Sequence, residues 1–193
     1  MAKKKKILEA VKKIIVEKGV RKITTEAIAK KAGIAKGTLY LYFRCKEDIF
    51  AGLLNSFLDE AENFVAEAKK SKGSGLKKLM AFIKSDLRFY EKNHKLFRVL
   101  GMEMDSVANI MSKKYKEKQI VRYFKIIRSI EDIIEQAIKE RELGKMSAME
   151  GAVILISIIH GYAGMRVHKL SRVPLTRQSD RVLNMFLNGA GKC

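Results

Sequence analysis

Between Thr24 and Lys46 the chain places hydroxyls, ammonium groups and small residues at spacings that suit non-covalent recognition of a polyanion. Lys36 can donate to guanine O6 or N7, and Thr38 can touch a thymine methyl or a phosphate. The Tyr40 and Tyr42 hydroxyls can donate to phosphates, and Gly37 lets a backbone approach closely. Bond-making chemistry has no comparable support: the chain shows no nucleophile elbow, phosphate loop, metal set or paired acid and base. No catalytic residue, no cofactor and no metal site is expected, and the protein is not read as an enzyme. His160 and His168 stand eight apart on a helical pattern, too far for one chelate, and His94 has no partner set. Cys45 has no second cysteine nearby in sequence, which leaves a redox pair without support.

Two short helices must hold these groups. Thr24 and Thr25 suit an N-cap and first turn, Glu26 complements the helix dipole, and the pattern runs to about Ala32. Gly33 supplies the positive φ of a tight turn, and Ala29 is small enough for two helices to cross closely. A second short helix is predicted over Lys36 to Phe43, with Leu39 and Phe43 facing inward, and Ile28 and Leu39 fixing the crossing. Tyr40 and Tyr42 then lie near the opposite surface, although Tyr40 also fits a half-buried place on this small core. Upstream, Ile7, Leu8, Val11, Ile14 and Ile15 form the stripe of an amphipathic helix that Gly19 should stop. Such a helix-turn-helix presents the end Ala35-Lys36-Gly37-Thr38 to a major groove.

Charge supports a polyanionic partner. The 193 residues carry 40 Lys+Arg against 21 Asp+Glu, a net charge of +19. Residues 1–50 hold 14 basic and 5 acidic residues, and the remaining 143 hold 26 and 16, so the charge density is more than twofold higher at the head. Concentrated positive charge favours nucleic acid through counterion release. A nonspecific DNA-coating protein or a basic protein of membrane surfaces is the alternative. Lys3 to Lys6 fit either a DNA arm or a solvated end.

The segment Thr24-Thr25-Glu26-Ala27-Ile28-Ala29-Lys30-Lys31-Ala32-Gly33-Ile34-Ala35-Lys36-Gly37-Thr38-Leu39-Tyr40-Leu41-Tyr42-Phe43, followed by Lys46-Glu47-Asp48, resembles the TetR family of transcriptional regulators, within a match that runs from Ile7 to Phe50. The resemblance implies a DNA-binding domain over residues 1–46 and a ligand-binding and dimerisation domain over 47–193. It also implies phosphate contacts from Thr25 and Lys46 on either side of the reading helix. Two positions depart from the family pattern: Leu41 stands where an aromatic is common, and Tyr42 where His is common. Leu41 can make only apolar contact, such as with a thymine methyl. The expected DNA-binding set is Thr25, Ala35, Lys36, Gly37, Thr38, Tyr40, Leu41, Tyr42 and Lys46.

Downstream the pattern is helical throughout, giving an all-α chain of about nine helices. A long stripe begins at Lys46 and ends at the Lys70 to Gly75 linker, and helices follow over Leu76 to about Asn93, through Leu96 to Leu100, and over Glu117 to Glu142, stopped by Gly144. Gly101 to Lys113 has no clear pattern. The last two helices, Ser147 to Ser171 and Thr176 to Asn188, are split by Pro174. The run Ala152 to Ile159 is apolar on every side, which suits a helix buried against its own core and a partner subunit. With Arg181 to Leu187 it resembles the family's two-helix share of a dimer interface, and Ile154, Leu155, Ile158, Val182, Met185 and Phe186 are the candidate contacts. The resemblance further implies a small-molecule effector, and Phe57, Phe82, Phe89, Phe97, Met102, Met104, Phe124 and Ile127 are apolar, adaptable candidates for its pocket, each of which also fits ordinary core.

The expected partners are double-stranded operator DNA, a second copy of the chain and a small, largely apolar ligand that releases the repressor. The cytoplasm is the expected location. Cys45 and Cys193 make no disulfide framework, and the residues after the opening lysines are amphipathic rather than an apolar signal core. The longest apolar run, Ala152 to Ile159, falls short of the roughly 20 residues that cross a bilayer, so no membrane partner is expected.

Overall fold

The computed structural model describes residues 2–188, and Cys193 lies outside them. Among the described residues there are nine α-helices, two 3-10 turns and no strand, an all-α fold. In chain order the helices are α1 (Ala2–Lys18), α2 (Thr25–Ala32), α3 (Lys36–Tyr40), α4 (Lys46–Lys70), α5 (Gly75–Met102), α6 (Met104–Ile110), α7 (Lys113–Lys139), α8 (Ala148–Val167) and α9 (Ser179–Asn188). The 3-10 turns are Val20–Lys22 and Leu175–Arg177.

Several elements differ from the periodicity reading, each for a local reason. The helix expected to end near Asn93 continues to Met102 as part of α5. Asn93 Nδ2 donates to the Phe89 carbonyl at 2.9 Å and His94 Nδ1 lies 2.6 Å from the Glu91 carbonyl, so both polar side chains bond back to their own helix instead of breaking it. The unassigned stretch after Gly101 contains α6. The reading helix is shorter than expected, ending at Tyr40, with Tyr42 N and Phe43 N both turning back to the Leu39 carbonyl. Helix α7 ends at Lys139, before Gly144, because Arg141 takes the left-handed conformation (φ 60°) and Glu142 N closes on the Ala137 carbonyl.

The chain divides into two compact units. The first runs to Phe57 and includes Lys95–Ile120; the second holds Leu58–His94 and continues from Val121. In the first, Ile7, Val11, Ile15, Val20, Ile28, Leu39, Phe50 and Leu53 are wholly buried together. At roughly 1.5–3 kcal/mol for each large side chain removed from water, this cluster holds the short α2 and α3, which could not persist alone. In the second unit α5, α7 and α8 bury Leu79, Ile83, Leu87, Ile130, Ile134, Leu155 and Ile159.

Carboxylates close the ends of elements in the second unit. Glu140 and Glu142 accept from Gly75 N and Leu76 N at 2.7 and 2.8 Å, satisfying amides at the start of α5. Glu91 accepts a forked pair from Arg166 Nε and Nη2 and also the Leu175 amide at 2.9 Å, which ties α5, α8 and the second 3-10 turn together. The apolar run 152–159 lies inside α8, whose 20 residues are long and apolar enough to cross a membrane by length and composition. Leu155, Ile159 and Ala163 on this helix are buried in the core of their own unit.

Candidate nucleic-acid interface

The interface is built on the crossing of α2 and α3. Thr24 caps α2, its hydroxyl oxygen accepting from Ala27 N at 3.1 Å, and Gly33 closes it in the left-handed conformation at φ 62°, ψ 47°. A side chain there would be strained, which explains the glycine. Ala29 is buried where the crossing needs a small residue, and Ile28 and Leu39 are both wholly buried beneath it. The chain then enters α3 through extended Ala35, whose side chain caps nothing, leaving the first amides of α3 open to a ligand.

This geometry leaves the candidate DNA-binding residues accessible. Ala35, Lys36, Gly37, Tyr40, Tyr42 and Lys46 are exposed, Thr25 and Thr38 half-buried, and Leu41 is 83% exposed. A Cβ at Gly37 would meet nothing within 4 Å, so no internal packing requires glycine there and its backbone is left open to solvent. Tyr40 is therefore not part of the small core, and Leu41 offers apolar surface with no internal role. Lys3 to Lys6 form the exposed first turns of α1, with Lys4 Nζ 5.8 Å from the centre of the Phe43 ring.

One feature of this surface lies outside the sequence reading. Lys36 is ion-paired with Glu26, both side chains being solvent-exposed, and Glu26 also accepts from the Thr25 hydroxyl at 3.1 Å. The Lys36 contact, with Glu26's own backbone amide and Thr25 adding to it, brings the Glu26 carboxyl down to about 2 and raises the Lys36 ammonium. Both groups stay charged across the physiological range. Ten residues separate them and they stand on different helices, α2 and α3, so no same-helix i,i+4 rule could have found the pair.

Other contacts within the first unit anchor the ends of the reading head. Asp48 Oδ1 accepts from the Tyr115 hydroxyl at 2.8 Å, and its Oδ2 accepts from Arg44 N at 3.0 Å. The Tyr115 hydrogen bond, followed by the backbone bonds, holds the Asp48 carboxyl below its usual range despite some burial. Glu47 accepts from Ser112 N, and Glu103 accepts from Val20 N at 3.2–3.3 Å. The Asp48–Tyr115, Glu47–Ser112 and Glu103–Val20 pairs span more than 60 residues and leave no trace in local spacing.

The candidate effector residues are not brought to one place. Phe57 and Phe97 belong to the first unit, where their rings lie 5.3 Å apart, and Met102 and Met104 are exposed there at 79% and 68%. Phe82, Phe89 and Ile127 are buried in the second unit, and Phe124 is exposed. The candidate dimer residues divide by face. Leu155 and Val182 are buried in their own unit, Ile154 and Met185 are exposed, and Ile158 and Phe186 are half-buried. Among the described residues no group of three His, Cys, Asp or Glu could hold a metal ion.

A three-helix head with an open α3 N-terminus, followed by long helices, defines a helix-turn-helix protein. Residues 7–53 match the family model for bacterial regulatory proteins of the tetR family. The fatty acid metabolism regulator protein of Bacillus subtilis is 33% identical over 98 residues, 51% of this chain and 50% of that one. The nucleoid occlusion factor SlmA of Haemophilus ducreyi is 29% identical over 84 residues, 44% and 42% of the two chains. The match thus spans about half the length of these curated relatives. The crystal structure of the regulator FadR from Bacillus subtilis, in complex with stearoyl-CoA, superposes with a TM-score of 0.81 at 23% identity, covering 97% of this chain and 99% of that one. FadR from Bacillus halodurans superposes with a TM-score of 0.79 at 19% identity, covering 100% and 98%. Residues 7–53 thus carry the match to the tetR family, and the likeness to the solved regulators shows that the whole chain shares their fold.

Proposed function

We propose that the protein is a cytoplasmic homodimeric repressor that binds a two-fold symmetric operator and leaves it when it binds an acyl-bearing ligand. The observation that carries this reading is the exposed end Ala35-Lys36-Gly37-Thr38, held on a fully buried Ile28–Leu39 crossing. Lys36 and Thr38, with Leu41, select bases; Thr25, Tyr40, Tyr42 and Lys46 hold phosphates and set register. Residues 1–46 form the reading module, and 47–193 sense the ligand and dimerise.

One helix-turn-helix covers too few base pairs for a unique genomic site, so two heads about 34–36 Å apart are needed. The partly exposed apolar surface of α8 and α9, with Ile154, Ile158, Met185 and Phe186, supports a second copy as the partner. The stearoyl-CoA of the Bacillus subtilis FadR structure and the name of the 33%-identical regulator support an acyl chain as the apolar part of the ligand. Binding would favour a conformation whose heads no longer match successive grooves.

The test is fluorescence anisotropy on a duplex selected from a random pool, with and without stearoyl-CoA. The expected result is tight, saturable binding that stearoyl-CoA reverses. Equal affinity for selected and random duplexes, with a steep salt dependence, would instead make it a nonspecific DNA-coating protein.

A further inference from the structure

The second unit carries a small cleft that the proposed reading leaves unused. Lys84, Leu87 and Arg88 of α5 line it together with Leu175 and Thr176 of the second 3-10 turn and Ser179 at the start of α9, around a volume of about 90 Å³. At about 30 Å³ for each water of the liquid, that is room for about three waters or one compact ion. Leu87 and Leu175 are buried and supply its apolar lining. None of the six residues has a part in the proposed DNA, dimer or effector contacts.

The polar groups of this cleft are donors in want of an acceptor. Lys84 and Arg88, one helical turn apart on α5, are exposed and form no ion pair among the described residues. Ser179 is 5% exposed and lines the cleft, yet its hydroxyl has no hydrogen-bond partner among the described residues. A hydroxyl withdrawn from water without a partner is disfavoured, and an acceptor brought into the cleft would satisfy it. The backbone bond from Val182 N to the Gln178 carbonyl opens α9, which leaves the amides of Ser179, Asp180 and Arg181 at the positive end of that helix. Asp180, the acidic residue of this first turn, is exposed and does not line the cleft. Two cations, a buried hydroxyl and a helix N-terminus around an ion-sized space specify an anion with several acceptor oxygens.

We propose that this cleft is a binding site for a phosphate group, as the free ion or a small monoester, whose oxygens accept from Lys84, Arg88 and the Ser179 hydroxyl. A carboxylate has two oxygens to share among these three donors, whereas a phosphate keeps three even when esterified. The bound group bridges α5 to the start of α9, so it stabilises the folded chain increasingly as its concentration exceeds the Kd. The site takes part in neither DNA reading nor effector release, and it stands whether or not the chain is a ligand-released regulator.

The test is isothermal titration of the full chain, without DNA and at fixed ionic strength in chloride, with inorganic phosphate, glycerol 3-phosphate and acetate. The expected result is saturable phosphate binding at one per chain, acetate about tenfold weaker, and phosphate binding weakened about tenfold in Arg88→Gln and about fivefold in Ser179→Ala. Ser179→Ala leaves the net charge unchanged, so its loss separates a built site from general attraction to a strongly basic chain. Lys72→Gln removes one exposed charge in the loop before α5 and should bind phosphate as the unmodified chain does, with circular dichroism showing every variant folded. Equal binding of the two phosphates assigns the site to monoesters as well as the free ion, and a preference for inorganic phosphate assigns it to the free ion; either supports the proposal. It is overturned if phosphate does not saturate at one per chain, if acetate binds as tightly, if Ser179→Ala or Arg88→Gln binds as the unmodified chain does, or if Lys72→Gln loses as much as Arg88→Gln.

Discussion

Lys36 at the start of α3 is ion-paired with Glu26 in the first turn of α2, so the residue proposed to read a guanine is engaged by a carboxylate in the chain without DNA. On the proposed reading, binding exchanges that carboxylate for a base edge and leaves the exposed Glu26 charge without its cation near a polyanion. Glu26→Gln should therefore raise affinity for every duplex several-fold, while Lys36→Ala should weaken operator binding at least tenfold and narrow the gap between operator and random DNA. Anisotropy titrations of both variants on both duplexes check this. Unchanged affinity in Glu26→Gln would show that the pair does not compete with DNA.

Lys46 carries no base-reading role in this account. It is exposed at the first position of α4, where a phosphate contact fixes register without sampling sequence. Lys46→Ala should weaken operator and random duplexes alike and lower the magnitude of the log–log salt slope by about one unit. Titrations across a salt series measure both quantities. A loss confined to the operator would give Lys46 a base contact instead.

Most of the reading head was legible in the sequence because its logic is local. Thr24 as cap, Gly33 as left-handed turn, Ala29 at the crossing and Leu39 beneath it follow from spacing of ten residues or fewer. The Glu26–Lys36 pair, the Tyr115–Asp48 hydrogen bond and the cleft that gathers Arg88 with Ser179 were not legible, because they depend on which helices pack together rather than on periodicity. The eight effector candidates were chosen by side-chain type alone, and type does not separate exposed Met102 and Phe124 from buried Phe82 and Ile127. Apolar α8 was recognisable as a helix, but which of its residues face the unit's own core was not. Ile154 and Leu155 are neighbours in sequence, and only Leu155 is buried.

That difference of face yields a paired prediction. Ile154→Asp places a charge on the exposed side of α8 and should give a folded monomer by sedimentation velocity, with operator affinity reduced by orders of magnitude. Leu155→Ala opens a cavity in the unit's core and should destabilise folding by about 2–5 kcal/mol in urea denaturation. A dimer that survives Ile154→Asp would remove α8 from the interface.

Asp86, 8% exposed in the second unit, is pushed by burial to about 7 from an ordinary 3.8. Below the ordinary value the carboxyl is neutral in both states and carries no penalty. As pH rises from about 4 to 7 the unfolded chain ionises while the folded one keeps its proton, so stability falls through that window and levels above it. Asp86→Asn should remove the slope and stabilise the protein by a few kcal/mol at pH 8, with a smaller gain at pH 5. Urea denaturation at the two pH values decides it, and equal gains at both would show that Asp86 is not the titrating group.

The central claim is that α3 reads a specific site as part of a symmetric pair. The most direct measurement is competition anisotropy at near-physiological salt, setting the duplex enriched from a random pool against scrambled DNA of equal length and composition. The account predicts an inverted repeat whose half-site centres lie about one helical turn apart, bound roughly 10³-fold or more tighter than the scrambled duplex. Indistinguishable affinities, or an enriched site without two-fold symmetry, would contradict it.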